Sequence, residues 1–276
     1  MLFLEKPVLM KNNFSLDNKI ALVTGANGLI GNQHCIALAE AGATVIACDI
    51  NLPKKDELKK TFKNIFCLAF DVTNKNEIIK AKDIVVNKYG SIDILVNNAA
   101  INDMFENPEL AADYSKFENY PLESWKASLN VNITGVFLCS QVFGTEMAKQ
   151  GFGSIINVAS TYGMVGPDQS IYRDDNDKQM FYKGPSYPTT KGAVINFTRY
   201  LAAYWGKKGV RVNTLSPGGV LNGQNQTFIN KYSRKTLLGR MASVNDYKGA
   251  VVFLASDASA YMTGSNLVVD GGWTAI

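Results

Sequence analysis

The sequence predicts an α/β fold, a single doubly wound parallel sheet with extended loops along the edge where a substrate would lie. Three observations predict it. Short apolar runs alternate with helical stretches from end to end, a glycine-rich turn follows the first run, and no linker, repeat or low-complexity tract divides the 276 residues. Near-continuous apolar strands between helices belong to a parallel sheet covered on both faces. Right-handed crossovers then wind that sheet in both directions, with ligands at the strands' carboxyl ends.

Residues 19–24 read as a buried strand, and the turn Thr24-Gly25-Ala26-Asn27-Gly28-Leu29-Ile30-Gly31 leads into an apolar-periodic helix through Ala41. Residues 43–48 and 65–70 are the second and third strands, residues 78–88 are helical, and residues 92–96 form the fourth strand. A long helix covers 122–149. It is followed by a strand at 154–158, a helix at 188–205, a strand at 210–215 and a last strand at 266–269. Residues 1–15 are expected to be an N-terminal extension to one domain, 16–276, whose loops 102–120, 163–186 and 219–241 face the substrate.

Composition narrows the function classes. An apolar share of 46% is ample for a core, and the net charge of +4 comes from scattered lysines without a stripe of nucleic-acid size. Cys35, Cys48, Cys67 and Cys139 all fall inside expected elements and never in Cys-x-x-Cys spacing, so reduced, buried thiols are expected. His34, the only histidine, lies in the first helix away from the strand tips, and no cluster suggests a metal. The stretch from Met1 to Pro7 breaks off before a secretory h-region, and no run approaches membrane-spanning length, which gives the expectation of a cytoplasmic enzyme.

Three constellations carry chemistry. A strand–glycine turn–helix unit needs glycine where the backbone turns tightly and where it approaches a pyrophosphate, and the free N–H groups of the helix start would face the phosphates. The competing reading is a tight turn without a ligand. Asp49 ends the second strand, where an acid can accept both hydroxyls of an adenosine ribose and repel a 2′-phosphate. Ile50 and Asn51 bring no cation, although Lys54 and Lys55 are near. NAD(H) is therefore expected rather than NADP(H), against the plainer reading of Asp49 as a helix cap. Tyr187 and Lys191 stand at i and i+4 of one helix, so the ammonium lies beside the phenol, favours phenolate and fits the tyrosine to exchange a proton with an alcohol oxygen. Tyr204 and Lys208 repeat the spacing where a helix should be ending.

These motifs and others in the same order resemble the short-chain dehydrogenase/reductase family from about residue 16 to the C-terminus. They are Thr24-Gly25 to Gly31, Asp71-Val72, Asn97-Asn98-Ala99-Ala100, Asn132 in Val131-Asn132-Ile133, Ser160, Tyr187 with Lys191, Pro217-Gly218 and Asp270-Gly271-Gly272. The resemblance implies a Rossmann-type sheet and a nicotinamide cofactor lying along Gly25, Asn27, Gly28, Leu29, Ile30, Gly31, Asp49, Ile50 and Val72. It implies that Asp71 holds the adenine amine, and that Asn98, Ala99 and Ala100 lie beneath the adenosine ribose. Pro217, Gly218 and Val220 would meet the nicotinamide end, where Tyr187 and Lys191 also touch the cofactor. It further implies that Ser160 holds the substrate oxygen, Tyr187 exchanges the proton, Lys191 binds the nicotinamide ribose, and Asn132 links Lys191 to solvent through a water. Hydride would pass between nicotinamide and the carbon bearing that oxygen.

The pattern also departs from the family. The spacing Gly25-x-x-Gly28-x-x-Gly31 resembles the longer, sugar-nucleotide-modifying branch, with Leu29 at the short branch's middle glycine, while the length and the Asp270-Gly271-Gly272 ending favour the short branch. Ala100 stands where glycine is usual, and Asn222 where threonine is frequent. The stretch between Ser160 and Tyr187 is longer than usual and polar, carrying Tyr172, Arg173, Asp174, Asp175, Asp177, Lys178 and Tyr182. Residues 102–120 add Asp103, Glu106, Asp113 and Lys116. Long loops at this edge are more often functional than idle.

From 222 to 241 the chain has Lys231, Arg234, Lys235 and Arg240 and no acid, which suits a lid over an anionic substrate such as a sugar phosphate or nucleotide-linked sugar. Arg240 sits in a string common in the family. Thr198-Arg199-Tyr200-Leu201-Ala202, Lys231-Tyr232 and the tail Gly272-Trp273-Thr274-Ala275 are similar to bacterial dehydrogenases of flagellin-modification and surface-glycan clusters, which implies an amino-sugar or sugar-phosphate substrate. The family's assembly implies a homo-tetramer or dimer through the helices at 122–149 and 188–205. The rival readings are a 3-oxoacyl-thioester reductase, a polyol dehydrogenase, and a dinucleotide-binding sensor or assembly subunit without catalysis.

Overall fold

The computed structural model describes residues 12–51, 62–102 and 113–276. Lys54, Lys55, Asp103, Glu106 and residues 1–11 of the expected extension lie outside the described residues. Seven parallel strands form one sheet in the order β3-β2-β1-β4-β5-β6-β7. They are β1 Ile20–Thr24, β2 Thr44–Asp49, β3 Ile65–Ala69, β4 Ile94–Asn97, β5 Gly153–Val158, β6 Val210–Pro217 and β7 Asn266–Val269. All seven were anticipated within two residues at each end.

Order reverses between β1 and β4, where Ala21, Leu22 and Val23 pair with Ile94, Leu95 and Val96. This switch opens a crevice at the carboxyl ends of the strands. The central strands are apolar on both sides because helices cover both faces: β1 is buried at all five positions, and two separate core clusters form, one on each face.

Helix α1, Leu29–Glu40, follows the glycine turn, and α2, Lys75–Tyr89, starts earlier than its apolar period suggests because the Asn74 side chain caps it by accepting from Asn76 and Glu77 amides. The long helix, α3 (residues 122–150), is one rod with two π-helical stretches, Asn130–Gly135 and Ser140–Gly144, that the periodicity did not foretell. Helix α4, Ser186–Trp205, carries Pro188 in its first turn, where a missing N–H costs nothing.

Two further helices were not anticipated. Helix α5, Gln226–Lys235, lies within the expected lid and is capped by Asn225, and α6, Lys248–Ala255, is the crossover between β6 and β7. Residues 12–15 pack on the domain: the Ala258 amide donates to the Asn13 carbonyl (3.0 Å), and the Phe14 ring lies 6.4 Å from that of Phe253. Among the described residues no helix is long and apolar enough to cross a membrane, and no group of His, Cys, Asp or Glu could hold a metal.

None of the four cysteines is in a disulfide; Cys35, Cys48 and Cys139 are buried, and Cys67 is half-buried rather than buried. Burial pushes the Cys35, Cys48 and Cys139 thiols up, which leaves them inert as nucleophiles. His34 is fully buried and its ring nitrogens have no partner, so burial holds its pKa down at about 4 and keeps it neutral. It lies away from the chemistry, as expected.

Candidate active site

The crevice at the switch is a cavity of about 540 Å³. Its floor is the glycine turn. Gly25 has φ +67°, and a Cβ there would lie 2.7 Å from the Ala99 Cα; one on Gly31 would lie 2.1 Å from the Gly25 carbonyl oxygen. Neither position takes a side chain without moving the turn. Gly28, at φ −71°, would place its Cβ 3.2 Å from the same oxygen, a milder conflict, and serves as the helix cap. No side chain caps α1, and Leu29, Ile30 and Gly31 of its first turn line the cavity, which leaves the helix start available to an anion. Thr24 and Asn98 brace the turn: the Asn98 amide nitrogen donates to the Thr24 and Gly25 carbonyls (3.0 and 3.1 Å). The Thr24 hydroxyl accepts from the Asn98 and Ala99 amides (both 3.1 Å).

Asp49, Ile50, Asp71, Val72, Asn98, Ala99 and Ala100 all line this cavity, with Gly25, Gly28, Leu29, Ile30 and Gly31. Asn27 does not. Its amide donates to Asp49 Oδ2 (2.9 Å) and its side chain to the Asn51 carbonyl (3.0 Å), so it acts by fixing Asp49 at the rim. Asp71 Oδ1 is taken by the Thr73 amide and hydroxyl (both 2.8 Å). Ala100 is not among the described residues of positive φ, so its side chain is accommodated where glycine is usual. A turn that only hydrogen fits, an uncapped helix start and an acid at the end of β2 together suit a dinucleotide.

A second cavity, of about 600 Å³, opens beside the first, and Leu29, Ile30, Asn102 and Tyr187 line both. Ser160, Pro217, Gly218 and Val220 line the second. Ser160, just beyond β5, accepts from the Tyr162 amide (3.2 Å) as a cap and also shares a hydrogen bond with the Tyr187 hydroxyl. It is therefore both a cap and a partner of the phenol. Lys191, 4% exposed, donates to the Val158 carbonyl (2.7 Å) and stands 5.5 Å from the centre of the Tyr187 ring.

Burial pushes the Lys191 ammonium down to about 8. Burial of the Tyr187 hydroxyl likewise pushes that group up from the ordinary phenol value, partly offset by the Ser160 hydrogen bond. Desolvation is thus the larger effect on the phenol here, where the spacing with Lys191 led us to expect a lowered pKa. The Asn132 side chain makes no direct hydrogen bond to Lys191, to which the expected link runs through a water. It binds both backbone groups of Ile101 (2.8 and 2.9 Å) and the Thr190 hydroxyl (3.1 Å), joining the chain beyond β4 to helix α4. Thr190 in turn donates to the Tyr187 carbonyl (2.9 Å). Tyr204 and Lys208 lie at the exposed end of α4, as expected.

The expected basic lid is corrected. Lys231 donates to the carbonyls of Arg173 and Asp174 (2.9 and 3.1 Å), Lys235 pairs with Asp168, and Arg240 pairs with Asp246 (2.6 Å). These lysines tie α5 to the long Ser160–Tyr187 loop instead of facing the cavity, and Arg234 does not line it. Part of the cavity wall is aromatic, formed by Tyr162, Tyr172, Phe181, Phe228 and Tyr232, among polar residues such as Asp174, Asn222, Asn225 and Thr227. The Tyr172 ring lies 4.8 Å from Phe181 and 5.6 Å from Phe228, and Tyr232 stacks at 4.4 Å on Trp273 behind the wall. Sequence reasoning missed this wall; aromatics brought together from the Ser160–Tyr187 loop and α5 carry no local period that would reveal them.

The family model described as enoyl-(acyl carrier protein) reductase matches residues 25–274. The chain is 34% identical to a D-threitol dehydrogenase of Mycolicibacterium smegmatis over 95% of each chain. It is 33% identical to post-translational flagellin modification protein A of Campylobacter coli, covering 94% of this chain and 99% of that protein. Among solved structures, a short-chain dehydrogenase from Leptospira borgpetersenii with bound NAD+ superposes with a TM-score of 0.85 at 33% identity, over 98% of each chain. A gluconate 5-dehydrogenase from Burkholderia cenocepacia in complex with NADP and tartrate gives a TM-score of 0.81 at 30% identity, over 96% of this chain and 98% of that one. The chain belongs to the short-chain dehydrogenase/reductase family. It is a nicotinamide-dependent oxidoreductase acting on hydroxyl groups or the corresponding carbonyls.

Proposed function

We propose that the protein transfers hydride between NAD(H) and a hydroxyl or carbonyl carbon of a sugar-type substrate bearing an anionic group. The observation that carries this reading is the meeting of the Ser160 and Tyr187 hydroxyls at the seam of the two cavities. A bound nicotinamide supplies the hydride acceptor or donor. Ser160 holds the substrate oxygen, Tyr187 gives or takes its proton, and Lys191 keeps a positive charge beside the phenol and reaches the nicotinamide ribose. Asn132, held by Thr190 and Ile101, links Lys191 to solvent through a water. Gly25, Gly28 to Gly31, Asp49, Ile50, Asp71, Val72, Asn98 to Ala100, Pro217, Gly218 and Val220 hold the cofactor, with Asn27 holding Asp49. Asn102 and the loops 163–186 and 219–241 enclose the substrate. Aromatic faces interleaved with polar groups suit the apolar and hydroxyl faces of a sugar.

A neutral polyol is the second reading. The resemblance to a threitol dehydrogenase and the carboxylates of Asp174 and Asp175 at the cavity support it. The likeness to a flagellin modification protein supports a place in surface-glycan synthesis, in the cytoplasm where NAD(H) is held. Exposed Phe137, Tyr200 and Tyr204 on α3 and α4 support a homo-tetramer or dimer, since the half-buried Phe197 stacks on Tyr200 at 6.2 Å and Tyr200 on Tyr204 at 6.0 Å.

The test is a panel of sugar acids, sugar phosphates, nucleotide-linked sugars and neutral polyols, followed by nicotinamide absorbance. Activity on at least one polyhydroxylated compound is expected, and turnover confined to simple ketones or acyl thioesters would defeat the reading. Cofactor choice has its own test. Asp49→Ser should erase a preference for NADH over NADPH that calorimetry detects in the unaltered protein. Tighter NADPH binding in the unaltered protein would remove Asp49 from the account.

A further inference from the structure

Tyr162 and Tyr172 carry hydroxyls that no step of the hydride transfer uses. Both residues line the second cavity, and their hydroxyls meet each other at 3.1 Å. Tyr162 follows Ser160 by two positions, and its amide donates to the Ser160 hydroxyl (3.2 Å). The pair is therefore tied through the backbone to one of the two hydroxyls at the seam. The Tyr187 oxygen lies near enough to both phenols that a negative charge on it would push each further up.

Packing fixes both rings. Tyr162 meets Trp273 edge-on at 6.4 Å, and Tyr172 packs against Phe181 and Phe228 at 4.8 and 5.6 Å. Tyr172 is buried and Tyr162 half-buried. Burial is the main influence on both hydroxyls; it pushes Tyr162 up and Tyr172 up to about 12, so both stay neutral.

Two phenols bring two O–H protons, and the bond between them uses one. Among the described residues neither hydroxyl has another hydrogen-bond partner. One O–H and several lone pairs are left to whatever enters the cavity, and they match a hydroxyl or carbonyl oxygen. An apolar group set against them would leave the buried O–H unpaired, which is costly. Elsewhere in the wall, polar side chains are engaged locally. Thr161 donates to the Pro217 carbonyl (3.2 Å), Thr227 to Asp175 (2.8 Å) and Gln224 to the Val220 carbonyl (2.9 Å).

We propose that the Tyr162–Tyr172 hydroxyl pair is a specificity-determining element that takes a second hydroxyl or carbonyl oxygen of the substrate, one or two carbons from the carbon that reacts. This rests on the sugar-type reading and deepens it. Ser160 and Tyr187 hold the reacting oxygen, the pair holds the second, and the substrate is fixed at two points. The aromatic rings receive the C–H face between them. A simple alcohol has only the first of these holds.

The test uses cyclohexanol, cyclohexane-1,2-diol and cyclohexane-1,3-diol, which share one ring and differ in the second hydroxyl. Each is titrated into the NADH complex, with which an alcohol cannot react, and binding is read by the fluorescence of the bound nicotinamide. In the unaltered protein one diol should bind about tenfold or more tightly than cyclohexanol, and whichever does so places the second oxygen. The double variant Tyr162→Phe/Tyr172→Phe keeps both rings and orphans neither partner. It should bring the ratio close to one through loss of diol binding. If that variant fails to bind NADH, the ratio is read in Tyr162→Phe, the less buried position, where it should fall about threefold or more. Equal binding of diols and cyclohexanol in the unaltered protein, or an unchanged ratio in the variant, would overturn the proposal. Tyrosine-dependent diol binding without turnover of any sugar or polyol would instead sink the sugar-type reading and leave the pair standing.

Discussion

Tyr187→Phe is expected to lower kcat by about a hundredfold or more, the range of a single positioned acid–base group, while NADH affinity stays within about twofold. The substitution removes one oxygen and keeps the ring, so the contacts that line both cavities persist. What goes is the group that shares a hydrogen bond with Ser160. The substrate oxygen would then change charge with no proton donor or acceptor beside it. Steady-state rates with calorimetric cofactor binding separate the two effects. Near-normal turnover in the phenylalanine variant would take tyrosine out of the mechanism.

The second large effect is expected at Gly31. Alanine is normally the better helix former by about 1 kcal/mol, and Gly31 sits inside α1. Space decides otherwise, because the added carbon would lie 2.1 Å from the Gly25 carbonyl oxygen and 2.5 Å from the Asn98 amide nitrogen. Both belong to the turn that would cradle the pyrophosphate. Relieving the clash displaces that turn, at a cost on the order of 1–3 kcal/mol for overpacking. We expect Gly31→Ala to lower the melting temperature and weaken NADH binding about tenfold or more. Gly28→Ala should do markedly less, since its new carbon comes no nearer than 3.2 Å to anything beyond its chain neighbours. Equal behaviour of the two variants would show that the turn does not set cofactor affinity.

Much of this was legible in the sequence because it is local. Apolar runs report strands, the glycine turn reports the first crossover, and Tyr187 and Lys191 share a face wherever the helix goes. Ser160, Asn132 and Asp49 were found by pattern and order, and the structure brings Ser160 to Tyr187 as those patterns imply. What was not legible depends on contacts between distant segments. The cations of residues 222–241 looked available because their partners, Asp168 and the carbonyls of Arg173 and Asp174, lie some sixty positions upstream on another loop. Arg240 was taken locally by Asp246. The π-helical stretch holding Asn132 leaves no mark on the apolar period. Its side-chain partners, Ile101 and Thr190, come from β4's extension and α4.

Ionisation ties these residues to the chemistry. Burial raises Tyr187 above an ordinary phenol and holds Lys191 near 8. At neutral pH the phenol is therefore protonated and ready to donate in the reducing direction. That direction should be level below about pH 8 and decline above it, as Lys191 loses its charge. Oxidation needs the opposite state, and the fraction of phenolate grows about tenfold per pH unit below the governing pKa.

The most direct test of a phenol working beside a lysine cation is kcat/KM for oxidation against pH, in the unaltered protein and in Lys191→Met. The rate should climb with pH in the unaltered protein, and removal of the cation should displace the climb upward by about one pH unit or more. A level profile, or the same climb in both proteins, would contradict it.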